Sequence, residues 1–173
     1  MPALIECVPN FSEGRDEKII HAIFDAAASV EAVKVFELEH NKDHNRMLFT
    51  IIGEPEKVLL SVFESIKVAT KLIDMNKHTG EHPRIGATDV VPFIPVSGVS
   101  MEECVELSNK LANKVADELQ IPVFMYEESA RIPEYRNLAD IRVGEFEGFK
   151  KEMKKPDFGP SQIHPTAGAM VIG

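Results

Sequence analysis

The chain has 173 residues, 44% hydrophobic and 27% charged, a balance that suits a globular fold with a substantial core. Its formal net charge of -9 argues against general nucleic-acid or anionic-membrane binding, while leaving room for a local cationic pocket that holds a small anion. MPALIECVPN turns polar too soon for a signal peptide and no apolar run reaches membrane-spanning length; with Cys7 and Cys104 read as buried, reduced thiols, a cytoplasmic location is expected.

Residues 3–8 (ALIECV) read as a first strand, ended by Pro9, Asn10 and the turn-rich FSEG. Ile20, Ile23, Phe24 and Ala27 recur at helical spacing, which predicts an amphipathic helix over 16–30. VKVFELE (33–39) and MLFTIIG (47–53) read as strands joined by an open polar loop, HNKDHNR. Pro55 suits the first turn of a helix that Leu59, Val62, Phe63, Ile66 and Ile73 carry to about residue 76. VVPFIPV (90–96) is broken by prolines and reads as a strand near a sheet edge. Ser100 and Glu103 make a capping-box pattern ahead of a helix through Cys104, Leu107, Leu111 and Val115. IPVFMYE (121–127) is a last strand, Phe146, Phe149 and Met153 mark a short helix, and PDFGPSQIHPTAGAMVIG reads as a loop-like tail. The order β-α-β-β-α-β, then α-β, predicts an α+β fold: a ferredoxin-like two-layer sandwich, mainly antiparallel, with three long helices on one face. The other sheet face then needs a partner.

Chemistry concentrates in HTGEHPRIGATD (78–89), which sets ionisable groups among glycines and other small residues. His82 precedes Pro83, which biases its backbone towards extended conformations and restricts the direction of its imidazole, a useful property in a proton-transfer group. A hydrogen-bonding surface loop is the plainer reading of the same residues. A metal reading of His40, Asp43 and His44, or of Glu81 and His82, is weak because these residues fall in loops whose spacing fixes no common face, so no metal is expected. In the tail, Gly159, Pro160 and Ser161 beside Phe158 make a turn able to cradle a flat heterocycle, or merely a linker. Lys150, Lys151, Lys154 and Lys155 offer charge for carboxylates, or a solvated helix face.

IECVPNFSEGR, LIDM, GEHPRIGATDVVPFIPVSGV and PDFGPS, in this order and spacing, resemble the N-terminal subdomain of the formiminotransferase family over essentially the whole chain. The resemblance implies a ferredoxin-like subdomain at 1–173. It also implies transfer of a formimino group between N-formiminoglutamate and tetrahydrofolate, a co-substrate, in histidine breakdown. His82 falls on the family's acid–base histidine, and His78 is then expected to be dispensable. The folate-contacting stretch falls on Gly159, Pro160, Ser161, Gln162, Ile163, His164, Pro165, Thr166, Ala167 and Gly168. Asn10 and Arg84 become candidates to hold a carboxylate or the tetrahedral intermediate. The family places its substrates between two related subdomains, so a homodimer or a second transferase subdomain is the expected partner. A non-catalytic folate-binding or assembly module is the alternative.

Overall fold

The computed structural model describes residues 2–173. In chain order it contains β1 (Leu4–Cys7), β2 (Asn10–Phe11), α1 (Glu17–Ala28), β3 (Val33–Asn41), β4 (Arg46–Gly53), α2 (Pro55–Leu72) and β5 (Thr88–Val91). It continues through β6 (Phe93–Ser97), α3 (Met101–Leu119), β7 (Val123–Met125), α4 (Leu138–Ile141), α5 (Glu145–Lys151) and β8 (Met170–Ile172). The fold is α+β. Its strands form one open sheet, antiparallel except where β8 pairs β5 and β7.

Two prolines organise the middle of this sheet. Pro9 separates β1 from β2, yet both lie along the same side of β4, with Cys7 opposite Ile51 and Asn10 opposite Leu48. Pro92 separates β5 from β6 in the same way, β6 pairing with β1 and β5 with β2. Each expected strand is therefore a kinked ribbon, broken where proline has no N–H for the ladder. Only the second half of the 90–96 stretch lies at an edge: β6 ends the path, whereas β5 is interior. The β3–β4 hairpin is tighter than HNKDHNR suggested, since β3 runs to Asn41 and β4 begins at Arg46.

The helix starts carry their expected chemistry. Asp16 accepts from the amides of Lys18 and Ile19, Pro55 occupies the first turn of α2, and Ser100 and Glu103 close a reciprocal capping box on α3. Ile20, Ile23, Val62, Ile66, Leu111 and Val115 from the three long helices meet Ile5, Phe11, Phe49 and Ile51 of the sheet in the main core. Each such fully buried aliphatic side chain stabilises by roughly 1.5–3 kcal/mol.

Two expectations are corrected. The tail is not all loop: Met170–Ile172 forms β8, an interior strand between β5 and β7. It is buried on both faces, so it carries no alternation to betray it. Nor are helices confined to one face. At the β5–β8–β7 end the opposite face is covered by the segment around α4 and α5, where Tyr135, Ile141 and Phe149 close over Val90, Val171 and Phe124. Phe124 meets Tyr135 and Phe149 edge-on, with ring centroids 5.3 and 5.6 Å apart. That apolar end is buried from both sides, while the β3–β4–β1–β6 half keeps one face open, with Ile94 and Val96 42% and 52% exposed.

Gly86 bridges Gly168 beside β5 and β8, and a Cβ there would collide with the carbonyl oxygens of Ala169 and Ala167. Gly86→Ala should therefore cost at least the roughly 1–3 kcal/mol of an overpacked core. Gly148 in α5 has open space around it, so Gly148→Ala should stabilise by about 0.5–1 kcal/mol. Urea unfolding of the two variants checks both signs.

Candidate active site

Three loops converge at the end of the sheet where β2 and β3 finish and β4, β5 and β8 begin. Asn45, in the β3–β4 turn, ties them together. Its Oδ1 accepts from the Gly14 amide at 2.8 Å and its Nδ2 donates to the Thr79 carbonyl at 3.1 Å. Its own carbonyl lies 3.0 Å from Nε2 of His78.

That contact gives His78 a fixed role. A carbonyl only accepts, so Nε2 carries the hydrogen and leaves Nδ1 as acceptor for Arg84 Nε at 2.9 Å. Burial pushes this imidazole below its ordinary value; the Asn45 carbonyl pulls it back up and Arg84 opposes protonation. His78 is a neutral structural bridge between the β3–β4 turn and Arg84.

Arg84 is 5% exposed. Beyond His78 Nδ1, its guanidinium donates to both carboxylate oxygens of Glu147 at 2.8 and 2.7 Å, to Glu145 at 3.2 Å and to the His78 carbonyl at 3.3 Å. These contacts use all the N–H donors an arginine has. The residue clamps the histidine loop onto α5 and is not free to take a substrate carboxylate.

His82 stands differently. Its Nδ1 lies 2.7 Å from the carbonyl of Pro83, which requires the hydrogen on Nδ1 and leaves a lone pair on Nε2. Partial burial, above all, holds the ring below its ordinary value. The Pro83 carbonyl opposes this, Arg46 and Arg142 reinforce it, and Asp89 opposes it. A half-buried imidazole that stays neutral with one free lone pair is equipped to act as a base.

The ring lines a cleft of about 630 Å³ together with Asn10, Leu38, Glu39, His40, Asn41, His44, Arg46, Met47 and Leu48. Asn10 faces it from β2, its Nδ2 donating to the Val8 carbonyl at 3.0 Å. The His44 and His82 rings lie 5.8 Å apart. The cleft sits where the open half of the sheet meets the covered half. Leu48, Asn10, Val90, Val171 and Phe124 form one row across the strands, the first two open and the last three beneath the second core.

Two bulges shape this wall. Phe36 pairs Thr50 and Glu39 pairs Leu48, so β3 holds one extra residue, with Glu37 at a left-handed φ of 55°, just before the residues that line the cleft. On β5, Phe11 pairs Thr88 and Asn10 pairs Val90, which makes Asp89 the extra residue. Asp89 is fully buried, accepting from the Ile85 amide at 2.7 Å, from Arg46 at 3.0 Å and from Arg142 at 2.6 Å.

The structure thus brings His82 and Asn10 into one cleft and adds Arg46, which sequence reasoning passed over. Its position in HNKDHNR, a polar loop joining two strands, was the available signal. The 159–168 stretch does not line this cleft. It crosses from β7 to the end of α2, with Thr166 and Pro165 accepting from Met75 and Asn76, and reaches the same end of the sheet through the Gly86–Gly168 bridge. Gly159 has φ 89°, and a Cβ there would press on the Ile121 carbonyl, so its backbone packs on the chain itself. His164 Nδ1 accepts from the Thr166 and Ala167 amides at 3.2 and 3.0 Å, while Ser161, Gln162 and Pro165 are exposed. Of the lysines, Lys154 caps α4 through the Asp140 and Ile141 carbonyls and Lys150 binds Asn76, while Lys151 and Lys155 are exposed. Among the described residues no three His, Cys, Asp or Glu converge as a metal site, and no helix is long and apolar enough to cross a membrane.

Comparison with known proteins adds an independent line. The family model described as formiminotransferase domain, N-terminal subdomain, matches residues 4–173. A glutamate formimidoyltransferase of Streptococcus pyogenes serotype M1 is 42% identical over 100% of this chain and 59% of its own length. One from Thermoplasma acidophilum is 46% identical over 99% of this chain and 58% of its own. A formimidoyltransferase-cyclodeaminase of Rattus norvegicus is 44% identical over 100% of this chain and 33% of its own. The chain therefore spans between about a third and about three-fifths of the length of these relatives.

Two outcomes follow from the histidine loop. Arg84→Ala strands the buried acceptor of His78 and should cost about 1–3 kcal/mol in urea unfolding. Because the folded state holds His78 and His82 below their ordinary value near 6.5, the unfolded chain binds protons first on acidification. Their contribution is present above pH ~6.5 and lost as pH falls through the folded values, so urea midpoints should fall from pH 7.5 to pH 5.

Proposed function

The chain belongs to the formiminotransferase family, as its N-terminal subdomain, and on that premise we propose that it contributes the acid–base half of a folate-dependent formimidoyltransferase site. The reaction moves a formimino group between N-formiminoglutamate and tetrahydrofolate. The observation that carries this reading is the His82 tautomer, with Nδ1 held by the Pro83 carbonyl and Nε2 left basic beside the cleft. Nε2 accepts the proton lost from N5 of tetrahydrofolate as N5 bonds to the formimino carbon. It returns that proton to the glutamate nitrogen as the original C–N bond breaks, so one imidazole serves as base and then acid. Asn10, whose Nδ2 donates to the Val8 carbonyl, lines the same cleft and is the candidate to hold a carboxylate or the tetrahedral intermediate. In this reading tetrahydrofolate lies against the 159–168 stretch, where the exposed Ser161 and Gln162 offer hydrogen-bonding groups near Pro160 and Phe158.

The open sheet face supports a role for a partner surface. Ile94 and Val96 are unpartnered there, and the His82 cleft opens at the edge of the same face. A second transferase subdomain completes the site in this reading, and a second copy of this chain is its substitute when that subdomain is absent. Sedimentation equilibrium should show self-association of the 173-residue chain, weakened by Ile94→Lys with Val96→Lys.

The decisive measurement is transfer from formiminoglutamate to tetrahydrofolate, by the chain alone or with a second subdomain supplied. His82→Asn should lower the rate roughly 10²–10⁴-fold with little change in folate affinity. The acidic limb of the rate profile should lie below the ordinary imidazole value and vanish in the variant. Folate binding with no transfer, even when a second subdomain is supplied, would favour a non-catalytic binding or assembly module. Normal turnover by His82→Asn would remove the histidine from the chemistry.

A further inference from the structure

Between the His82 cleft and the second core, two guanidinium groups face a single carboxylate. Asp89 has no exposure, and the Arg46 and Arg142 side chains are 11% and 12% exposed. Both arginines bond to the same oxygen, Oδ2, at 3.0 and 2.6 Å, while Oδ1 is taken by the Ile85 amide. The cluster keeps one positive charge in excess in a largely desolvated place, an arrangement that calls for an anion. Arg142 Nε is buried with no partner among the described residues, a second sign that the cluster is short of an acceptor.

Arg46 is the member that reaches the cleft. Among the described residues only its Nη1 is spent, on Asp89, so Nε and Nη2 remain to donate there. Burial, chiefly, pushes this guanidinium below its ordinary value; Asp89 pulls it up and Arg142 presses it down again. Glu39 lines the same cleft and makes no ion pair with Arg46 among the described residues, so the lining offers separate cationic and anionic groups, as an amino-acid ligand requires. Arg84, the arginine the sequence suggested for this duty, has no donor left.

We propose that Arg46, held in place by Asp89 and Arg142, is the carboxylate subsite of the cleft and binds the free amino-acid substrate through that group. This deepens the transferase reading and rests on it for the identity of the amino acid. Asp89 and Arg142 are positioning residues: they fix the plane of the fork and supply the field, and Arg46 alone touches the ligand.

The test is NMR titration of the ¹⁵N-labelled chain with L-glutamate, followed at the arginine Nε–H signals, with p-aminobenzoylglutamate and folinic acid titrated in parallel. Glutamate should shift the Arg46 Nε signal saturably. Arg46→Gln should weaken glutamate at least about tenfold, with Arg46→Lys intermediate because it keeps the charge but loses the fork. Arg136→Gln, which makes the same change in net charge at an exposed pair with Glu128, should have no effect. Amide spectra of each variant report whether the fold is kept. No saturable Arg46 shift with glutamate in the unmodified chain overturns the proposal, and so does equal glutamate affinity in a folded Arg46→Gln. Weakening of p-aminobenzoylglutamate alone also overturns it, because the subsite then belongs to a folate tail. Folinic acid binding without Arg46-dependent glutamate binding sinks the subsite and leaves the transferase reading standing. Arg46-dependent glutamate binding without folinic acid binding keeps the subsite and sinks that reading.

Discussion

The carboxylate of Asp89, buried in a strand bulge and bonded to two arginines and a backbone amide, is the constraint on which the site depends. A lone buried carboxylate is strongly disfavoured, and this one exists only because three other parts of the chain bring it partners. Arg46 arrives at the start of β4, Arg142 at the end of α4, and the Ile85 amide from the loop that carries His82. The bulge that makes room for Asp89 is itself a departure from the β2–β5 ladder. Removing Asp89 would leave two largely buried guanidinium groups without their counter-charge; the sheet end, the histidine loop and the covering layer all meet at this one carboxylate.

The histidine loop shows how little residue type says about duty. His78 and His82 are both half of a bond with a backbone carbonyl, yet opposite ring nitrogens are engaged. In His78 the remaining nitrogen is consumed by Arg84, and in His82 it stays open beside the cleft. Glu147 completes the first arrangement: its bidentate bonds to Arg84 hold its carboxyl below the usual range, so the clamp stays ionised further into the acid range than a free glutamate would. The loop is rigid on one side so that the other can present a lone pair.

The sheet divides its labour in a similar way. Its β5–β8–β7 end is closed on both faces, and its β3–β4–β1–β6 half is closed on one. The cleft lies at the border, where backbone positions are fixed by the closed end and side chains remain accessible from the open one. An open apolar face lies beside this cleft.

The sequence by itself determined the local elements and the family. Helical spacing in Ile20, Ile23 and Ala27, the Ser100–Glu103 box and the Pro55 start all act within a few residues, and each appears where the pattern put it. The ionisable cluster around GEHPR was legible for the same reason: its residues are contiguous. What joins distant segments was not legible. Nothing local in MVI distinguishes an interior strand from a tail, because burial on both faces erases alternation, and α4 is too short to show a period. Asp89, Arg46 and Arg142 lie in separate elements and meet only through the sheet bulge and the covering layer. Hydrogen-bond capacity is settled by neighbours, so only the folded chain shows that the donors of Arg84 and both ring nitrogens of His78 are already engaged.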